Sequence, residues 1–470
     1  MILKKGENIE LEITDMAIGG RGIARVDGLV VFVDFAMPGD RVLARITKKK
    51  KSHAEAVVVS VLESSAFRLS PPCEVFGFCG GCKWQFVQYE KQLEYKRQFV
   101  RDAMEHIALL KDVPVHPTLA TSSVYGYRNK MEFSCSDSRW LLPSQLGQED
   151  IEKDFALGLH VPGTFHKVIK IDTCLLQPDL GNEILRYGAE FMKHSPKPVY
   201  GLKSHEGFWR FLMLRHSVYH DQWMVNIITS SEDRAAVLPL AQSLQTRFPQ
   251  IVSVMNNVTG RKAAIAVGEY EICLAGDKVI KDRIGDFEFK VSANSFFQTN
   301  SLGAETLYKV AKQYAGLTGK ETVLDLYCGT GTISIFLSDS AATLTGLEIV
   351  ESAVEDAVNN CVQNHVSNCR FILGDIRESL KSMNQKPDVL IIDPPRVGMH
   401  KDVVQQILDM GPDRIVYVSC NPATQARDLA LMKEDYRVEE IQPVDMFPHT
   451  FHVEAVARLV RKAGTVNGER

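Results

Sequence analysis

The chain has 470 residues, with 54 Lys and Arg against 58 Asp and Glu, so its formal net charge is −4. Hydrophobic residues make up 45% and charged residues 24%, which excludes a disordered, collagen-like or highly charged protein. At about 150 residues per domain, this length predicts roughly three domains. The bulk charge gives no sign of nucleic-acid binding, so any basic footprint has to be local.

No apolar run approaches the roughly 18 residues that a membrane span requires. The N-terminus, MILKKGENIE, turns polar after two lysines and lacks the apolar core of a signal peptide. We therefore expect a cytoplasmic monomer that does not associate with membranes. In that reducing compartment, the ten cysteines are expected to be ligands, nucleophiles or small core residues rather than disulfides.

Residues 8–62 are typical of a small β-barrel. NIELEIT alternates apolar and polar residues with the period of a half-buried strand, and an Asp27-Gly28 turn between two apolar runs predicts a hairpin. RVLARI and AEAVVVSVLE add further strands, and four or five short strands predict a barrel of OB type. The stretch from Arg41 to His53 has no acidic residue. It is either a solvated loop or a phosphate-contacting patch on a barrel that binds single-stranded RNA.

Three cysteines, Cys73, Cys79 and Cys82, lie within ten residues, with two glycines between the last two. An all-cysteine site of four ligands needs one more thiolate, which Cys135 or Cys174 could supply. Zinc and an iron–sulfur cluster both accept four thiolates. Zinc sites usually contain two close pairs, so a triplet with a distant single cysteine favours a cluster. Three unrelated cysteines are the remaining alternative.

The middle of the chain alternates strand-like runs, such as WMVNIIT and AAIAVG, with helical runs such as AAVLPLAQSLQTRF. A helix is expected near residues 90–110, and SRWLLPSQLGQEDIEKD is expected to be an exposed loop. The chain therefore divides into a β-barrel at 1–65, a central α+β domain with the cysteine loop at 66–290, and a third domain at 291–470.

From about residue 304, strands and helices alternate. GAETLYKVAKQYA predicts a helix, and five strands are expected in ETVLDL, ATLTGLEIV, CRFILGD, DVLIID and RIVYVS. This rhythm predicts a Rossmann-like, doubly wound parallel sheet that binds its ligands at the carboxyl ends of the strands.

Two features predict a nucleoside cofactor at that edge. DLYCGTG at 325–331 places glycines where the backbone must approach a ligand, and Glu348 ends the next strand, where an acceptor for the ribose diol belongs. An NAD site is the alternative, but Ser334 replaces the third glycine of that fingerprint. S-adenosylmethionine fits better, because its sulfonium is not a diphosphate and needs no pyrophosphate cradle.

Three further motifs follow predicted strands or precede one. Asp393 of DPPR would face the ligand, unless it only forms a turn. Methyltransferases that act on exocyclic amines usually have an aromatic residue where this chain has Arg396, which argues against an amine target. Cys420 of SCNP would reach the cofactor, although a single cysteine is more often a small core residue. PHTFHVE supplies Glu454 and two imidazoles before the final strand.

A thiolate, a carboxylate and a methyl donor in one place are what methylation of a uracil C5 carbon requires. This carbon is too weak a nucleophile to act unaided, so a thiolate adds at C6, C5 takes the methyl group and a base removes the C5 proton. A free cysteine has a pKa of about 8.5, so a neighbouring positive charge would help to form the thiolate.

In the content and order of its motifs, the chain resembles the RNA (uracil-5-)-methyltransferase family, and within it the iron–sulfur-containing 23S ribosomal RNA branch. These motifs are FFQTN at 296–300, DLYCGTG, DPPR, SCNP and PHTFHVE, and the resemblance extends to an N-terminal TRAM-like barrel. It implies that Cys420 is the nucleophile and Glu454 the proton acceptor. It also implies S-adenosylmethionine contacts from Gln298, Tyr327, Thr332, Glu348, Asp375 and Asp393. Thr332 stands where some members have Asn.

The same resemblance implies a 4Fe-4S cluster held by Cys73, Cys79, Cys82 and Cys174, which selects Cys174 as the fourth ligand. Members limited to transfer RNA often lack the N-terminal cysteines, so 23S ribosomal RNA is the expected partner. The target uridine would be turned out of its stack to reach the site. The alternatives are the same reaction on transfer RNA, a DNA cytosine-5 methyltransferase, and a non-catalytic RNA-binding iron–sulfur protein.

Overall fold

A computed structural model describes residues 3–148, 150–263, 265–383 and 385–463 of the chain. The N-terminal part of the described residues forms a sheet in the spatial order β1-β5-β6-β4-β3-β2. Its strands are β1 (Asn8–Glu12), β2 (Asp15–Ala17), β3 (Arg21–Val26), β4 (Leu29–Asp34), β5 (Arg41–Lys49) and β6 (His53–Glu63). Just after β1, the Thr14 N–H donates to the Ile23 carbonyl on β3 at 2.9 Å. The two sides of the sheet thus approach each other, as a barrel requires.

The basic stretch from residue 41 to 53 is not a loop, because β5 covers most of it and β6 begins at its end. Arg41 forms ion pairs with Glu10 and Glu63, and the Lys48 ammonium lies 3.9 Å from the Glu55 carboxylate. Neighbouring strands therefore neutralise part of the charge. The lysines at 49–51 remain exposed at the tip of the β5–β6 hairpin.

The segment between the first sheet and the central sheet carries the three N-terminal cysteines and one long helix. The cysteines lie in turns, and helix α1 (Tyr89–Ala103) follows, extended by a single π-helical turn at Met104–Ala108. Val100, Ala103 and Met104 pack into the core of the C-terminal sheet. Helix α1 therefore belongs structurally to the C-terminal sheet, although it lies within residues 66–290 of the sequence.

The central sheet has the order β13-β12-β11-β10-β7-β8-β9. Helices α2 (Asp179–Lys193) and α3 (Arg234–Arg247) share its apolar core. Its strands are β7 (Lys130–Ser136), β8 (Ala156–His160), β9 (Val168–Lys170), β10 (Trp209–His216), β11 (Trp223–Thr229), β12 (Ile251–Val258) and β13 (Tyr270–Gly276). Among the described residues of the expected loop at 138–154, a bridge between Arg139 and Val168 and a short 3₁₀ turn at Pro143–Gln145 are the regular features. A hairpin of β14 (Val279–Ile284) and β15 (Phe287–Ser292) leads to the last sheet.

The expected strand AAIAVG is wrong, since its described residues form no strand and β13 begins only at Tyr270. The reason is a buried arginine. The Arg210 guanidinium on β10 donates to the carbonyls of Thr259, Arg261 and Ala263, at 2.6–2.9 Å. The Ala263 carbonyl at the start of the expected strand, and the two carbonyls before it, are thus satisfied by a side chain rather than by a neighbouring strand.

The C-terminal sheet has the order β18-β17-β16-β19-β20-β22-β21. Its strands are β16 (Thr322–Leu326), β17 (Thr343–Glu348), β18 (Cys369–Leu373), β19 (Val389–Ile392), β20 (Arg414–Ser419), β21 (Tyr436–Val444) and β22 (Glu454–Arg461). The five strands expected from the sequence pair in parallel, whereas β22 is antiparallel to both of its neighbours. The sheet is therefore doubly wound but not wholly parallel.

Helices cover both faces of this sheet. One face packs against α4 (Ser301–Ala315), α5 (Thr332–Leu337) and α6 (Glu351–Gln363). The other packs against α1 together with α7 (Ile376–Ser382), α8 (Lys401–Met410) and α9 (Pro422–Met432). Because both faces are covered, the carboxyl edge of the parallel strands is where a ligand can enter. Across the described ranges, no helix is long and apolar enough to cross a membrane.

Candidate active site

A cavity of about 1180 Å³ opens at the carboxyl edge of the C-terminal sheet. It brings together all but one of the residues predicted from the sequence. Its walls include Gln298, Tyr327, Thr332, Glu348, Asp393, Cys420 and Glu454, together with Cys73, Cys79, Cys82 and Cys174. The cavity is therefore lined both by motif residues of the C-terminal sheet and by cysteines from earlier in the chain.

Cys420 and Glu454 are neighbours because β20 and β22 pair antiparallel, with Ser419 opposite Ala455. Cys420 follows β20 directly, and Glu454 begins β22. The next residue, Asn421, caps α9 through its side chain, which accepts from the Ala423 N–H at 3.2 Å. Cys420 thus lies between the end of β20 and the start of α9, and these two elements hold its thiol at the carboxyl edge of the sheet.

The carboxyl groups of Glu454 and Asp393 have strongly raised pKa values. Burial raises the pKa of Glu454 to about 8, and the nearby Asp393 charge contributes, while Arg396 opposes the rise. Burial also raises the pKa of Asp393 to about 7. Carboxyl groups that exchange protons near neutral pH, at the end of a ligand cavity, are suited to acid–base chemistry.

The thiol of Cys420 also has a raised pKa. Burial, followed by the Glu454 carboxylate, raises its pKa to about 11, whereas the positive charge of Arg396 acts in the opposite direction. The Arg396 backbone is fixed beside the thiol, because its carbonyl accepts from the Asn421 side-chain amide at 3.0 Å. The DPPR and SCNP motifs therefore form one unit around Cys420.

The Gly-rich turn after β16 is held open by its backbone geometry. Gly331 has a φ of +74°, and a Cβ there would lie 2.7 Å from the Phe371 ring, so a side chain is excluded on two grounds. Tyr327 adopts φ +64°, in the left-handed region that non-glycine residues rarely occupy. Ser334, at the position of the missing third glycine, donates to the Asp325 carboxylate at 2.6 Å. Because Ser334 lies on α5 and Asp325 on β16, this hydrogen bond connects the helix to the strand on either side of the turn.

The Glu348 carboxylate at the end of β17 is anchored by backbone groups. One oxygen accepts from the Gly329 N–H at 3.0 Å. The other accepts from the N–H groups of Ile349 and Val350 at 2.8 and 2.9 Å. These bonds fix the carboxylate between the Gly-rich turn and the start of α6, the position predicted for an acceptor of ribose hydroxyls.

Tyr308 on α4 is a wall residue that the sequence did not single out. Its hydroxyl lies 2.8 Å from the Thr332 hydroxyl. It therefore connects a predicted cofactor contact on α5 to helix α4. The regular apolar spacing of GAETLYKVAKQYA makes Tyr308 look like an ordinary core position, which hides this role from sequence patterns.

Asp375 is the predicted site residue that does not line the cavity. Its side chain caps α7, accepting from the Arg377 N–H at 2.9 Å, and also pairs with the Arg377 guanidinium. The carboxylate is thereby occupied by local contacts at the start of a helix.

The four predicted cluster cysteines lie close enough to interact electrostatically. Burial, with contributions from Cys174 and Cys73, raises the pKa of Cys79 to about 11. The same causes raise the pKa of Cys82 to about 12. In the part of the chain that the structure describes, no group of three or more His, Cys, Asp or Glu side chains is arranged to hold a metal ion. Cys135 lies fully buried in the core of the central sheet, outside the cavity wall.

The doubly wound sheet, with its Gly-rich turn and the acidic residue ending the second strand, defines a protein that binds a nucleoside cofactor. The family described as tRNA (uracil-5-)-methyltransferase matches residues 230–462, and the TRAM domain matches residues 3–59. The chain is 45% identical over 466 residues to an RNA methyltransferase of Chlorobaculum tepidum, covering 97% of this chain and 96% of that relative. The chain therefore belongs to the tRNA (uracil-5-)-methyltransferase family.

Two further comparisons cover nearly the whole chain. An RNA methyltransferase of Porphyromonas gingivalis is 42% identical over 466 residues, covering 96% of this chain and 99% of its own. The solved structure of the Pyrococcus abyssi tRNA (uracil-54, C5)-methyltransferase, in complex with S-adenosyl-L-homocysteine, matches with a TM-score of 0.75 at 28% identity. That match covers 96% of this chain and 100% of the other. The predicted TRAM barrel, methyltransferase fold and enzyme class are confirmed, and the protein is an RNA uracil-5-methyltransferase that uses S-adenosylmethionine.

Proposed function

We propose that the protein methylates C5 of a uridine in 23S ribosomal RNA through a covalent intermediate on Cys420. The observation that carries this mechanism is the side-by-side position of Cys420 and Glu454 on the wall of the cofactor cavity. A thiol alone could add to the ring, and a carboxyl group alone could move a proton. Both are needed on one ring for net methylation of C5.

In the proposed reaction, the Cys420 thiol first loses its proton to solvent, and the thiolate sulfur adds to C6 of uracil. The resulting enolate uses C5 to attack the methyl carbon of S-adenosylmethionine, so the sulfur–methyl bond breaks and S-adenosylhomocysteine leaves. The Glu454 carboxylate then takes the proton from C5. The electron pair of that C–H bond restores the C5–C6 double bond, and the Cys420 sulfur departs as thiolate.

Arg396 is proposed to favour the thiolate form of Cys420. Its positive charge opposes the burial that otherwise keeps the thiol protonated. The same charge favours the ionised form of Glu454, which is the form that can accept a proton. One arginine would thus act on both reacting groups, and this gives a chemical reason for an arginine after the two prolines of DPPR.

Five residues are proposed to hold S-adenosylmethionine, and all of them line the cavity. Glu348 would accept from the ribose hydroxyls, with its carboxylate already aligned by backbone N–H groups. The others would surround the methionine and adenosine parts of the cofactor: Gln298, Tyr327, Thr332 and Asp393. Asp375 is proposed to act as a helix cap rather than as a cofactor contact, because its carboxylate is occupied by Arg377.

A 4Fe-4S cluster on Cys73, Cys79, Cys82 and Cys174 is also part of this proposal. The donor set fits in kind and number, since four mutually interacting thiols line one cavity. A single zinc ion would need its thiolates within about 4 Å of one another, given zinc–sulfur distances of about 2.3 Å. A cluster gives each thiolate its own iron and so accepts a wider spacing. When bound, it would supply a covalent cross-link between the cysteine loop and the central sheet.

The three parts of the chain are proposed to share the work on RNA. Residues 1–65 would bind the RNA backbone through the exposed lysines of the β5–β6 hairpin tip. Residues 66–290 would hold the cluster. Residues 291–470 would perform the chemistry. The cysteine set favours ribosomal RNA, whereas the Pyrococcus abyssi protein is named for transfer RNA, which keeps transfer RNA as the second candidate substrate.

The decisive experiment traps the intermediate. RNA carrying 5-fluorouridine cannot lose a C5 proton, so the Cys420 adduct should persist on a denaturing gel and map to Cys420 by mass spectrometry. Cys420→Ala should abolish the adduct, and Cys273→Ala, on a strand of the central sheet, serves as the matched control. An adduct that maps elsewhere would refute the mechanism. Tritiated methyl transfer into 23S ribosomal RNA and into transfer RNA from a deletion strain would decide between the two substrates.

A further inference from the structure

The segment that leads into Glu454 is held by helix α1, which belongs to a distant part of the sequence. Residues 445–453 connect β21 to β22, so their conformation sets where Glu454 begins its strand. The Lys96 ammonium on α1 lies 2.6 Å from the Asp445 carboxylate and 3.0 Å from the Phe447 carbonyl. Both Lys96 and Asp445 are fully buried. A buried ion pair thus fixes the first part of the segment.

A second buried side chain of α1 fixes the middle of the same segment. The Gln92 carbonyl oxygen accepts from the His449 N–H at 2.8 Å. The Gln92 amide nitrogen donates to the carbonyls of Trp84 and Val87, at 3.1 and 2.8 Å, and lies 3.2 Å from the His449 ring nitrogen Nδ1. One amide therefore joins the start of α1 to the segment before Glu454.

The cysteine loop contacts the same place. The N–H groups of Lys83 and Trp84, which directly follow Cys82, both donate to the His449 carbonyl at 2.8 and 2.9 Å. His449 itself has a φ of +62°, a left-handed conformation that a non-glycine residue keeps only when its surroundings hold it. All of its backbone hydrogen-bonding groups are used by residues 83–92. The conformation of the segment is therefore imposed from outside the C-terminal sheet.

We propose that Gln92 and Lys96 are positioning residues for Glu454. They hold residues 445–453 so that the carboxylate can reach the C5 proton of the methylated ring. They touch neither the cofactor cavity nor the reacting atoms. The inference rests on the proposed covalent mechanism, because it concerns the step in which Glu454 releases the product from Cys420.

The mechanism gives this role a specific signature. Addition to C6 and methyl transfer to C5 need Cys420 and the cofactor, whereas release also needs Glu454 within reach of the C5 proton. If the carboxylate is displaced, methyl transfer proceeds once and the protein remains bonded to methylated RNA. A defect of overall folding would instead slow the first methyl transfer and the release together.

The test uses the full-length protein, tritiated S-adenosylmethionine, and unmodified ribosomal and transfer RNA from a deletion strain. Gln92→Met removes the contacts of the Gln92 side chain with His449 at nearly constant volume, while the backbone bonds from Lys83 and Trp84 remain. A second variant, Lys96→Met with Asp445→Asn, replaces the buried ion pair by neutral groups and keeps an oxygen for the Phe447 N–H. Gln98→Met is the matched control, since Gln98 lies on the same helix and bonds to Asp102 and Arg101. Thermal unfolding checks that each variant is folded.

We expect both variants to keep the first round of methyl transfer and to slow later rounds by about 10- to 100-fold, the cost of a small misplacement of a reacting group. A covalent protein–RNA adduct should accumulate with ordinary uridine, as it should for Glu454→Gln. Wild type and Gln98→Met should show no such accumulation. Folded variants in which the first and later rounds slow equally, or not at all, would overturn the inference. A wild-type protein that methylates neither RNA would overturn the proposed function itself.

Discussion

Ser419 lies directly opposite Ala455 across β20 and β22, and this pairing brings the thiol of Cys420 beside the carboxyl group of Glu454. The antiparallel direction of β22 is essential to the arrangement. If β22 ran parallel to β20, its first residue would lie at the other edge of the sheet, far from the cofactor cavity. The two reacting groups thus depend on the single reversed strand of the described C-terminal sheet.

The first prediction concerns Arg396. Replacing it by Gln should raise the pKa of the Cys420 thiol and that of Glu454, because its positive charge now lowers both. Each unit of pKa change alters the ionised fraction about tenfold, so turnover at pH 7 should fall by about tenfold or more. Over pH 6.5 to 9.5, the part of the deficit that comes from Glu454 should shrink as pH rises through about 8, whereas the part that comes from Cys420, with its pKa of about 11, should stay constant. Arg437→Gln, at an exposed arginine paired with Glu439, is the control. A deficit that is wholly constant with pH would contradict the effect on Glu454, and no deficit at any pH would contradict the role of Arg396.

The second prediction concerns stability and pH. Burial raises the pKa of Glu454 to about 8 in the folded protein, above its value of about 4.3 in an unfolded chain. Between these two values, the folded state holds a proton that the unfolded state has released. The stability contributed by this group is therefore fully present below about pH 4 and is lost as pH rises towards 8.

Glu454→Gln removes this titration, so the variant should gain stability relative to wild type as the pH rises from 5 to 8.5. The gain should be of the order of 1–4 kcal/mol in the free energy of unfolding. Chemical denaturation at both pH values measures it. Glu434→Gln, at an exposed position, is the control and should keep the wild-type pH dependence. An equal stability difference at both pH values would argue against a buried, protonated Glu454.

The third prediction concerns the cofactor. Tyr308→Phe removes the hydroxyl that hydrogen-bonds with the Thr332 hydroxyl, while the ring and its packing remain. Loss of a hydrogen bond of about 1 kcal/mol should weaken S-adenosylmethionine binding by about 2- to 10-fold. Isothermal titration calorimetry measures this directly. Tyr187→Phe on α2, remote from the cavity, should leave binding unchanged. Unchanged binding in Tyr308→Phe would mean that the cofactor does not depend on the hydrogen bond between Tyr308 and Thr332.

The fourth prediction concerns the cysteines. Protein purified without oxygen should contain about four iron and four sulfide ions per chain, with the broad absorption of an iron–sulfur cluster near 400 nm. The iron content should fall strongly when any one of the proposed ligands, Cys73, Cys79, Cys82 or Cys174, is replaced by Ser. Cys135→Ala should retain it, because Cys135 lies in the core of the central sheet. One zinc ion per chain, or iron loss in Cys135→Ala, would refute the proposed ligand set.

The fifth prediction concerns the hairpin tip at residues 49–51. Changing its three lysines to Glu should weaken RNA binding by one to two orders of magnitude at low salt, since phosphate contacts dominate such affinity. Binding of S-adenosylmethionine should stay the same, because the tip does not line the cavity. Filter binding and calorimetry measure the two affinities. If the affinities for RNA and for S-adenosylmethionine fell equally, the variant would be misfolded rather than specifically impaired in RNA binding.

The sequence predicted the C-terminal strands well, because each motif follows or precedes an apolar run of the right length. It also identified the wall residues that lie next to glycines or prolines, such as Asp393. It missed Tyr308, whose apolar helical spacing looks like ordinary core. The wrong strand AAIAVG has the same kind of cause, because the Ala263 carbonyl at its start accepts from Arg210, which lies far away in sequence on β10. Local patterns carry no information about a partner that arrives from far along the chain.

Gln92 and Lys96 are the clearest cases of this limit. Their partners His449 and Asp445 lie about 350 residues away in sequence, at separations of 357 and 349. In EYKRQFVRDAMEHIALL, the lysine looks like one charge on a mixed surface. Only the packing of α1 against the C-terminal sheet turns it into a buried cation with a dedicated carboxylate.

The contacts of residues 83–96 with the segment before Glu454 have a consequence for truncated proteins. A fragment that begins at the β14–β15 hairpin would retain Gln298, the Gly-rich turn, Glu348 and Cys420. It would lack every side chain that holds His449 and Asp445. Such a fragment would also expose the apolar surface of the C-terminal sheet that α1 covers, so it should aggregate rather than act as a methyltransferase on its own.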